Sequence, residues 1–337
     1  MRQVSSTLGL AQLLGLSEWT VSRAINGHPE VKASTRERIL KAMDEFGFRP
    51  NPVARGLSGK AMGIVGVCFG MARNALMMQK VTILDEFLRE NSLRGILAIA
   101  PPDQASQIRI VEDFKHLRVD GMVLVQPYIG PSQLGKILEG IRYVLVDYGT
   151  DDLKPRVWLD RHKAMDMIVE HLWSLGHRSF GTLGFSDDSR DRWLGLKESL
   201  HARGASIERD VQPFVLAAPG LESFAEGIQL ARLALAAPKR PTAFIAVNDE
   251  VAAGAMQEMR DRGIKIPADI SIVGFSNFDV GQFLRPRLTT IDQQPALMMR
   301  AAGETLLSQL GSKPNRSANR CIDPVLIVRE STGLAKR

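Results

Sequence analysis

The feature that most constrains the fold is a regular alternation of short β-rich runs with helix-length segments after Met62. The runs are GIVGVC (63–68), GILAIA (95–100), GMVLVQ (121–126), YVLVD (143–147), SFGTLG (179–184), AFIAV (243–247) and SIVGF (271–275). Helical stretches lie near 79–91, 105–116, 161–175, 190–203, 223–237, 249–262 and 296–310. Continuously apolar strands between helices indicate parallel sheets covered on both faces. The number of strands predicts two sheets, hence two lobes, with ligands binding between them at the carboxyl ends of strands.

Length and composition set the outer limits of the interpretation. At roughly 100–200 residues per domain, 337 residues indicate two or three domains. The two cysteines, Cys68 and Cys321, form neither a disulfide framework nor a zinc pattern, which favours a reducing compartment. The first residues lack a charged start followed by an apolar run, and we find no continuous apolar stretch of membrane-spanning length. We therefore expect a cytoplasmic protein with no membrane association.

The first 60 residues are more basic than the rest of the chain. They contain nine Lys or Arg and five Asp or Glu, an excess of four in a chain whose net charge is +6. A basic terminal segment on a nearly neutral body indicates contact with a polyanion. The charge balance alone is equally compatible with an ordinary solvated surface.

Three short helices fit residues 6–46. Their boundaries are marked by Ser6 and Gly15, by Ser17 and Asn26-Gly27, and by a capping box from Ser34 to Glu37 followed by Gly47. In the second helix, Val21, Ala24 and Ile25 share one arc, and Glu18, Trp19, Ser22, Arg23 and Asn26 share the opposite arc. Two helices joined by a short turn with Gly are typical of a helix-turn-helix, whose second helix enters the major groove of DNA.

Residues 10–59, LAQLLGLSEWTVSRAINGHPEVKASTRERILKAMDEFGFRPNPVARGLSG, resemble the DNA-binding head of the lactose-repressor (LacI/GalR) family. The match centres on Ser17-x-x-Thr20-Val21-Ser22-Arg23, Asn26, Val31, Thr35-Arg36 and Asn51-Pro52. The resemblance implies that Glu18 and Trp19 read bases and that Arg23 reads a base or anchors the helix. It also implies that Ser22, Asn26 and Thr35 contact phosphates. Gly9 departs from the family, which usually has an acidic residue there.

The segment RPNPVARGLSGK (49–60) separates the head from the body. Pro50 and Pro52 end the preceding helix, and the residues alone are typical of a flexible linker. The family resemblance implies instead a hinge helix that orders on operator DNA. In that hinge Leu57 would wedge into the minor groove, a known way to kink DNA, and Arg55 would contact a phosphate.

The resemblance continues through the body in RVDGMVLVQP, HLWSLGHRSFGTLG, RDRWLGL, AFIAVNDEVAAGAM, ISIVGFSN, PRLTTIDQ and VRES. It implies a core similar to periplasmic sugar-binding proteins, with two Rossmann-like lobes and crossings near residues 160, 291 and 321. We therefore expect a helix-turn-helix domain at 1–49, a hinge at 50–60 and a core at 61–337. The first lobe would comprise about 61–159 and 292–320, and the second about 160–291 and 321–337.

The same resemblance implies the effector-binding residues. Arg192, Asn248 and Asp160 match best, Asp147 is a weaker match, and Gln293 belongs to the matching PRLTTIDQ run. Three positions depart from the family: Ser276 stands where Asp is common, and Glu222 and Asn74 stand where aromatics are common. From the residues alone, Asn248 and Asp160 could equally cap the helices that follow them, and Arg192 could be a surface residue.

These observations predict a ligand-responsive transcription repressor that acts as a homodimer on a pseudo-palindromic operator. A small molecule, a sugar or sugar derivative, would bind between the lobes. We expect no catalytic residue, cofactor or metal, since the chain has no nucleophile elbow, P-loop or dinucleotide fingerprint. The alternatives are a non-sugar ligand, a partner protein, or a regulator that no longer responds to any ligand.

Overall fold

The computed structural model describes residues 4, 6–25, 28–49, 61–70, 75–101, 103–149, 152–185, 189–217, 223–311 and 319–336. The head contains α1 (Thr7–Leu14), α2 (Glu18–Ile25) and α3 (Ala33–Glu45). Leu10, Val21 and Ile39, one from each helix, are fully buried and form the centre of its core. The Oγ atoms of Ser6 and Ser17 cap the first two helices, each accepting a hydrogen bond from a backbone N–H at 3.0 Å.

The start of α3 corrects one prediction. The helix begins at Ala33, and Lys32 occupies the N-cap position without a side-chain hydrogen bond. Ser34 is therefore the second helical residue and cannot serve as the N-cap of a capping box, since an N-cap residue has non-helical backbone angles. The predicted capping box is wrong because the chain enters the helix two residues earlier than the motif indicates.

Two six-stranded sheets form the core. The first contains β1 (Ile64–Gly70), β2 (Arg94–Ala100), β3 (Gly121–Val125), β4 (Tyr143–Val146), β5 (Arg156–Leu159) and β11 (Arg320–Ile322), in the order β11-β5-β4-β3-β1-β2. The second contains β6 (Phe180–Leu183), β7 (Val211–Phe214), β8 (Ala243–Ala246), β9 (Ser271–Phe275), β10 (Thr289–Asp292) and β12 (Val325–Ile327), in the order β12-β10-β9-β8-β6-β7. All pairings are parallel except that of β12 with β10.

Helices cover both sheets. Those of the first lobe are α4 (Ala75–Glu90), α5 (Gln104–His116), α6 (Pro131–Ile137) and α13 (Pro295–Leu310). Those of the second are α7 (Arg161–Ser174), α8 (Arg190–Ala202), α9 (Ile207–Asp210), α10 (Phe224–Ala236), α11 (Asp249–Asp261) and α12 (Val280–Phe283). The prediction of a helical head with a two-lobed, largely parallel α/β core is confirmed. The sequence patterns missed β5, β7, β10, β11 and β12, which are only three or four residues long.

The chain passes between the lobes three times. The passages lie between Leu159 and Arg161, between Asp292 and Pro295, and between Ile322 and Val325. Since β5 and β10 run parallel to their neighbours and lead directly into passages, both sheets direct their carboxyl ends towards the space between the lobes. Loops at those ends are the natural ligand-binding elements of such sheets.

The second lobe depends on very close packing of α10 against α11. A Cβ atom added at Gly254 would overlap with the carbonyl oxygen of Phe224, and one added at Gly227 would overlap with the carbonyl oxygen of Val251. Each helix therefore presents a bare backbone to the other. This pair carries Asn248 at its end, so its spacing sets the position of one wall of the cleft.

We predict that Gly254→Ala destabilises the chain by about 3 kcal/mol, because the extra methyl forces two helical backbones apart. Chemical denaturation of the full-length protein measures the effect. Gly130→Ala is the matched control, since a Cβ there meets nothing within 4 Å and the backbone angle suits any residue. Equal stability of the two variants would contradict the packing described here.

Candidate DNA-reading head and effector cleft

The outward face of α2 carries an exposed aromatic side chain. Trp19 is 62% exposed, although Val21 and Ala24 on the opposite face of the same helix are buried. Glu18 is also exposed at the first turn. Most of this large side chain lies outside the core of the head, so its position favours an external contact.

Arg23 is already oriented in the absence of DNA. Its guanidinium carbon lies 3.8 Å from the centroid of the Trp19 ring, and its Nη1 forms an ion pair with Glu30. Stacking on Trp restricts the guanidinium plane, and a restricted guanidinium suits bidentate contact with guanine. To reach a base, Arg23 must exchange Glu30 for the DNA acceptor.

The remaining predicted DNA contacts are placed only in part. Ser22 and Thr35 are half-buried on the same module. Asn26, Arg55 and Leu57 lie outside the described residues. Two hydrogen bonds from α3 were not predicted from the sequence. Arg36 Nη2 donates to the carbonyl of His28 at 2.5 Å, and Arg38 donates to the carbonyl of Leu14. These bonds connect α3 to the chain on both sides of α2, and they restrict the orientation of α2 relative to α3.

In the second lobe, Arg192 lies across the carboxyl ends of three adjacent strands. Its Nη1 donates to the carbonyl of Val247, after β8, at 2.7 Å. Its guanidinium carbon lies 4.2 Å from the ring centroid of Phe275, at the end of β9, and 5.8 Å from that of Phe185, after β6. Arg192 is therefore half-buried and held at the edge where parallel sheets of this kind bind ligands.

Polar side chains link the ends of β9 and β10. Gln293 Nε2 donates to Ser276 Oγ at 2.8 Å, and both side chains are buried. Asn277 Nδ2 donates to Asp292 at 3.0 Å, and Arg329 from the C-terminal segment donates to Asn277 Oδ1 at 2.7 Å. This wall therefore offers amide and hydroxyl groups that can both donate and accept, a set suited to a hydroxylated ligand.

Asn248 and Asp160 cap helices, as one of the two sequence interpretations expected. Asn248 Oδ1 accepts from Val251 N at 2.8 Å at the start of α11, and Asp160 Oδ1 accepts from Lys163 N at 2.9 Å at the start of α7. Both follow the carboxyl ends of strands, β8 and β5, and therefore lie at the cleft edge. Their contact with an effector stays a prediction.

The side chain of Asp147 is fully buried just after the end of β4. One oxygen lies 2.6 Å from Lys80 Nζ on α4, and the other lies 3.2 Å from both Arg161 Nη1 and Leu159 N. Burial by itself raises the pKa of this carboxyl, but Arg161 and Lys80 outweigh it and hold the pKa well below the ordinary value. The carboxylate is thus charged and fully engaged by Lys80, Arg161 and the backbone of Leu159. Asn74 and Glu222 lie outside the described residues.

The sequence analysis did not predict the role of Asp249, which positions the start of α11. It is fully buried and accepts from Thr290 Oγ1 at 2.5 Å and from Phe278 N at 2.6 Å, which ties the start of α11 to the segments beside Ser276. Burial raises the pKa of its carboxyl to about 6, against the opposing effect of these hydrogen bonds. The available sequence signal was an Asp directly after a helix-capping Asn, which does not distinguish an exposed from a buried carboxylate.

Within the described ranges, no three His, Cys, Asp or Glu side chains come together in a way that could hold a metal ion. In the same part of the chain, no helix combines the length and the apolar character needed to cross a bilayer.

The fold and the two sites define a transcription regulator with a helix-turn-helix head and a two-lobed core of the binding-protein type. Residues 10–51 match the family described as bacterial regulatory proteins, lacI family, and residues 169–332 match the periplasmic binding protein-like domain. The regulator reg1 of Streptomyces lividans is 30% identical over 339 residues, 97% of this chain and 96% of its own length. The chain belongs to the LacI family.

Other relatives extend the comparison. The ribose operon repressor of Haemophilus influenzae is 26% identical over 329 residues, 96% of this chain and 97% of its own. The solved lac repressor dimer bound to operator and the anti-inducer ONPF has a TM-score of 0.85 at 24% identity, covering 97% of this chain and 99% of that one. The CelR–cellobiose complex has a TM-score of 0.70 at 23% identity, with the same coverage. These structures share the fold.

We predict that Arg23→Ala reduces discrimination between operator and random DNA by about 1–3 kcal/mol, because a bidentate base contact is lost. Fluorescence anisotropy with both duplexes gives the ratio of affinities. Arg240→Ala, an exposed arginine in the loop before β8, removes the same charge far from the head. An unchanged ratio in Arg23→Ala would refute the base-reading role.

The raised pKa of Asp249 predicts a pH dependence of stability. A carboxyl whose pKa is higher in the folded state than its ordinary value near 4 stabilises the fold below about pH 4 and loses that contribution as pH rises through about 6. Relative to Asp249→Asn, which cannot titrate, the wild type should lose about 2–3 kcal/mol between pH 4 and 7. Denaturation curves at several pH values measure the difference, and parallel curves would contradict it.

Proposed function

We propose that this chain is a cytoplasmic, ligand-responsive transcription repressor that binds a pseudo-palindromic operator as a homodimer. Its divisions are the helix-turn-helix domain (1–49), the hinge (50–60) and the core (61–337) set out above. The effector is a sugar or sugar derivative held between the two lobes. The observation that carries the sensing role is Arg192, fixed across the carboxyl ends of β6, β8 and β9.

DNA reading is supported by the exposed Trp19–Arg23 face on the second helix of the head. In a helix-turn-helix this helix lies in the major groove with its first residues at the base edges. Glu18 can accept from a cytosine amino group, the Trp19 ring can meet a thymine methyl, and Arg23 can donate to guanine. Ser22, Asn26, Thr35 and Arg55 supply phosphate contacts, which fix register without reading sequence.

Dimerisation is supported by exposed apolar side chains on the core. Leu97 and Ile99 on the edge strand β2 are 46% and 52% exposed, and Met78 on the adjacent α4 is exposed as well. On the second lobe, Phe224 and Phe283 are also exposed. Clustered apolar surface of this kind marks protein interfaces. We assign it to a second copy of the chain, since a two-fold dimer places two heads on the two half-sites of an operator.

A carbohydrate effector is supported by the amide- and hydroxyl-rich wall beside Arg192 and by the relatives named for ribose and cellobiose. Asn248, Asp160, Gln293, Glu222 and Asn74 are the further candidates for ligand contact. Ser276 accepts less strongly than the Asp common there, so Arg192 bears more of the binding. Closure of the lobes around the ligand would shift the hinges, with a coupling free energy of about 1–3 kcal/mol as is typical of allosteric proteins.

The effector class is tested by thermal unfolding of the full chain with a panel of sugars, sugar acids, purines and amino acids. A ligand at 100 times its dissociation constant stabilises by about 2.7 kcal/mol, which raises the midpoint by several degrees. Arg192→Ala should abolish this shift without changing operator affinity in the absence of ligand, whereas Arg240→Ala should keep it.

A normal shift in Arg192→Ala would move the effector site elsewhere. If only a purine or an amino acid raised the midpoint, that compound class would replace the carbohydrate as the proposed effector. No shift with any compound, in a protein that binds its operator, would favour a partner protein or a regulator that no longer senses a ligand.

A further inference from the structure

The chain that leaves the hinge enters the first lobe between two loops. Gly63 accepts a backbone hydrogen bond from Arg94 N at 2.8 Å, and Ile64 accepts one from Asp120 N at 2.8 Å. The loop from α4 to β2 therefore lies on one side of the start of β1, and the loop from α5 to β3 lies on the other. Both loops stand at the amino edge of the sheet, opposite the effector cleft.

This entry point is held rigidly by one carboxylate. The two oxygens of Asp120 accept hydrogen bonds from three successive backbone N–H groups, those of Met62 at 3.0 Å, Gly63 at 2.6 Å and Ile64 at 3.0 Å. Charge-assisted bonds to backbone N–H groups are the stronger kind of protein hydrogen bond. The orientation of the two flanking loops is therefore fixed relative to the root of the hinge.

Each loop presents one exposed arginine. Arg94 is the first residue of β2, and Arg118 lies two residues before Asp120. Neither forms an ion pair within the part of the chain that the structure describes. Asp120 is the only acidic residue in the two loops, 91–94 and 117–120, and its oxygens face the backbone. The nearby Glu112 and Glu90 pair with Lys115 and Arg300. The loops beside the hinge are thus locally positive.

The backbone of Arg118 has an unusual conformation for a residue with a side chain. It follows α5 with φ of 55°, a left-handed conformation in which a Cβ is disfavoured. Six other described helices are followed within three residues by a glycine in this conformation, at Gly15, Gly47, Gly140, Gly176, Gly204 and Gly263. The helix ends that use a side chain instead, Ser92 after α4 and Arg118 after α5, are the two that flank β1. An arginine in a backbone conformation that usually takes glycine is a candidate for a functional role.

We infer that Arg94 and Arg118 bind phosphates of the operator backbone beside the docked hinge, so that the amino edge of the first lobe is part of the DNA interface. The inference rests on the proposed function. Gly63 is three residues beyond the end of the hinge, about 10 Å of extended chain. That separation is comparable to the Debye length of about 8–10 Å at physiological salt, so charges at this edge are only partly screened from a duplex bound by the hinge. A homodimer brings four such arginines to one operator.

The test is the salt dependence of binding. The operator is the duplex recovered by selecting random DNA with the full-length protein. Each phosphate neutralised contributes about 0.9 to the slope of log affinity against log salt. The double variant Arg94→Gln/Arg118→Gln should therefore lower the magnitude of the slope on operator by about three to four per dimer. On random DNA, where the hinge is not docked, the slope should change little.

Matched variants separate charge from structure. Lys239→Gln/Arg240→Gln removes the same charge from an exposed loop of the second lobe and should leave the slope unchanged. Arg94→Lys/Arg118→Lys keeps the charge and should keep the slope. Arg118→Gly should raise the thermal unfolding midpoint, because glycine suits the left-handed backbone, and yet lower the slope on operator by about two.

The outcomes are distinguishable. If the wild type prefers no DNA sequence at all, the proposed function itself fails, and this inference fails with it. If the wild type binds its operator but the double Gln variant has the slope of the Lys239/Arg240 control, only the edge contact is overturned. Loss of slope in the Lys variant as well would also overturn it, because phosphate binding requires only the charge to be kept.

Discussion

The parallel arrangement of the strands is the constraint on which the rest of the molecule depends. A parallel sheet has all its carboxyl ends at one edge, and β5 and β10 lead from that edge directly into passages between the lobes. The carboxyl edges of both sheets must therefore face the same space. Side chains far apart in the chain, such as Arg192 and Gln293, meet around that space for this reason, and no local feature of either residue requires it.

Buried charge gives the cleft its rigidity. Asp147 joins α4 of the first lobe to Arg161, the first helical residue after the passage into the second lobe. A buried carboxylate is tolerated only when it is paired, so Lys80 and Arg161 are held as firmly as Asp147 itself. Asp249 performs a related task in the second lobe with neutral donors, Thr290 Oγ1 and Phe278 N. Because neither of these two donors is a cation, burial remains the largest effect and raises the pKa of Asp249.

The first lobe consequently has two working edges. Its carboxyl edge borders the proposed effector site. At its amino edge, Asp120 holds Met62 to Ile64, the residues that follow the proposed hinge. The strands β1, β3 and β4 run from one edge to the other and are buried over most of their length. In the proposed mechanism, this rigid sheet connects lobe closure at one edge to the hinge at the other without any local unfolding.

The sequence by itself determined the parts that depend on local periodicity and chain punctuation: the three-helix head, the seven longer apolar runs and the common face of Trp19 and Arg23. The strands β5 (RVWL), β10 (TTID) and β11 (RCI) were missed because polar or charged residues interrupt them, so they do not form continuous apolar runs. Tertiary structure alone decided the pairing of Lys80 with Asp147, 67 residues apart, and the capture of Met62 N by Asp120, 58 residues apart. The positions of these side chains depend on the whole sheet, so no pattern within either segment predicts the contacts.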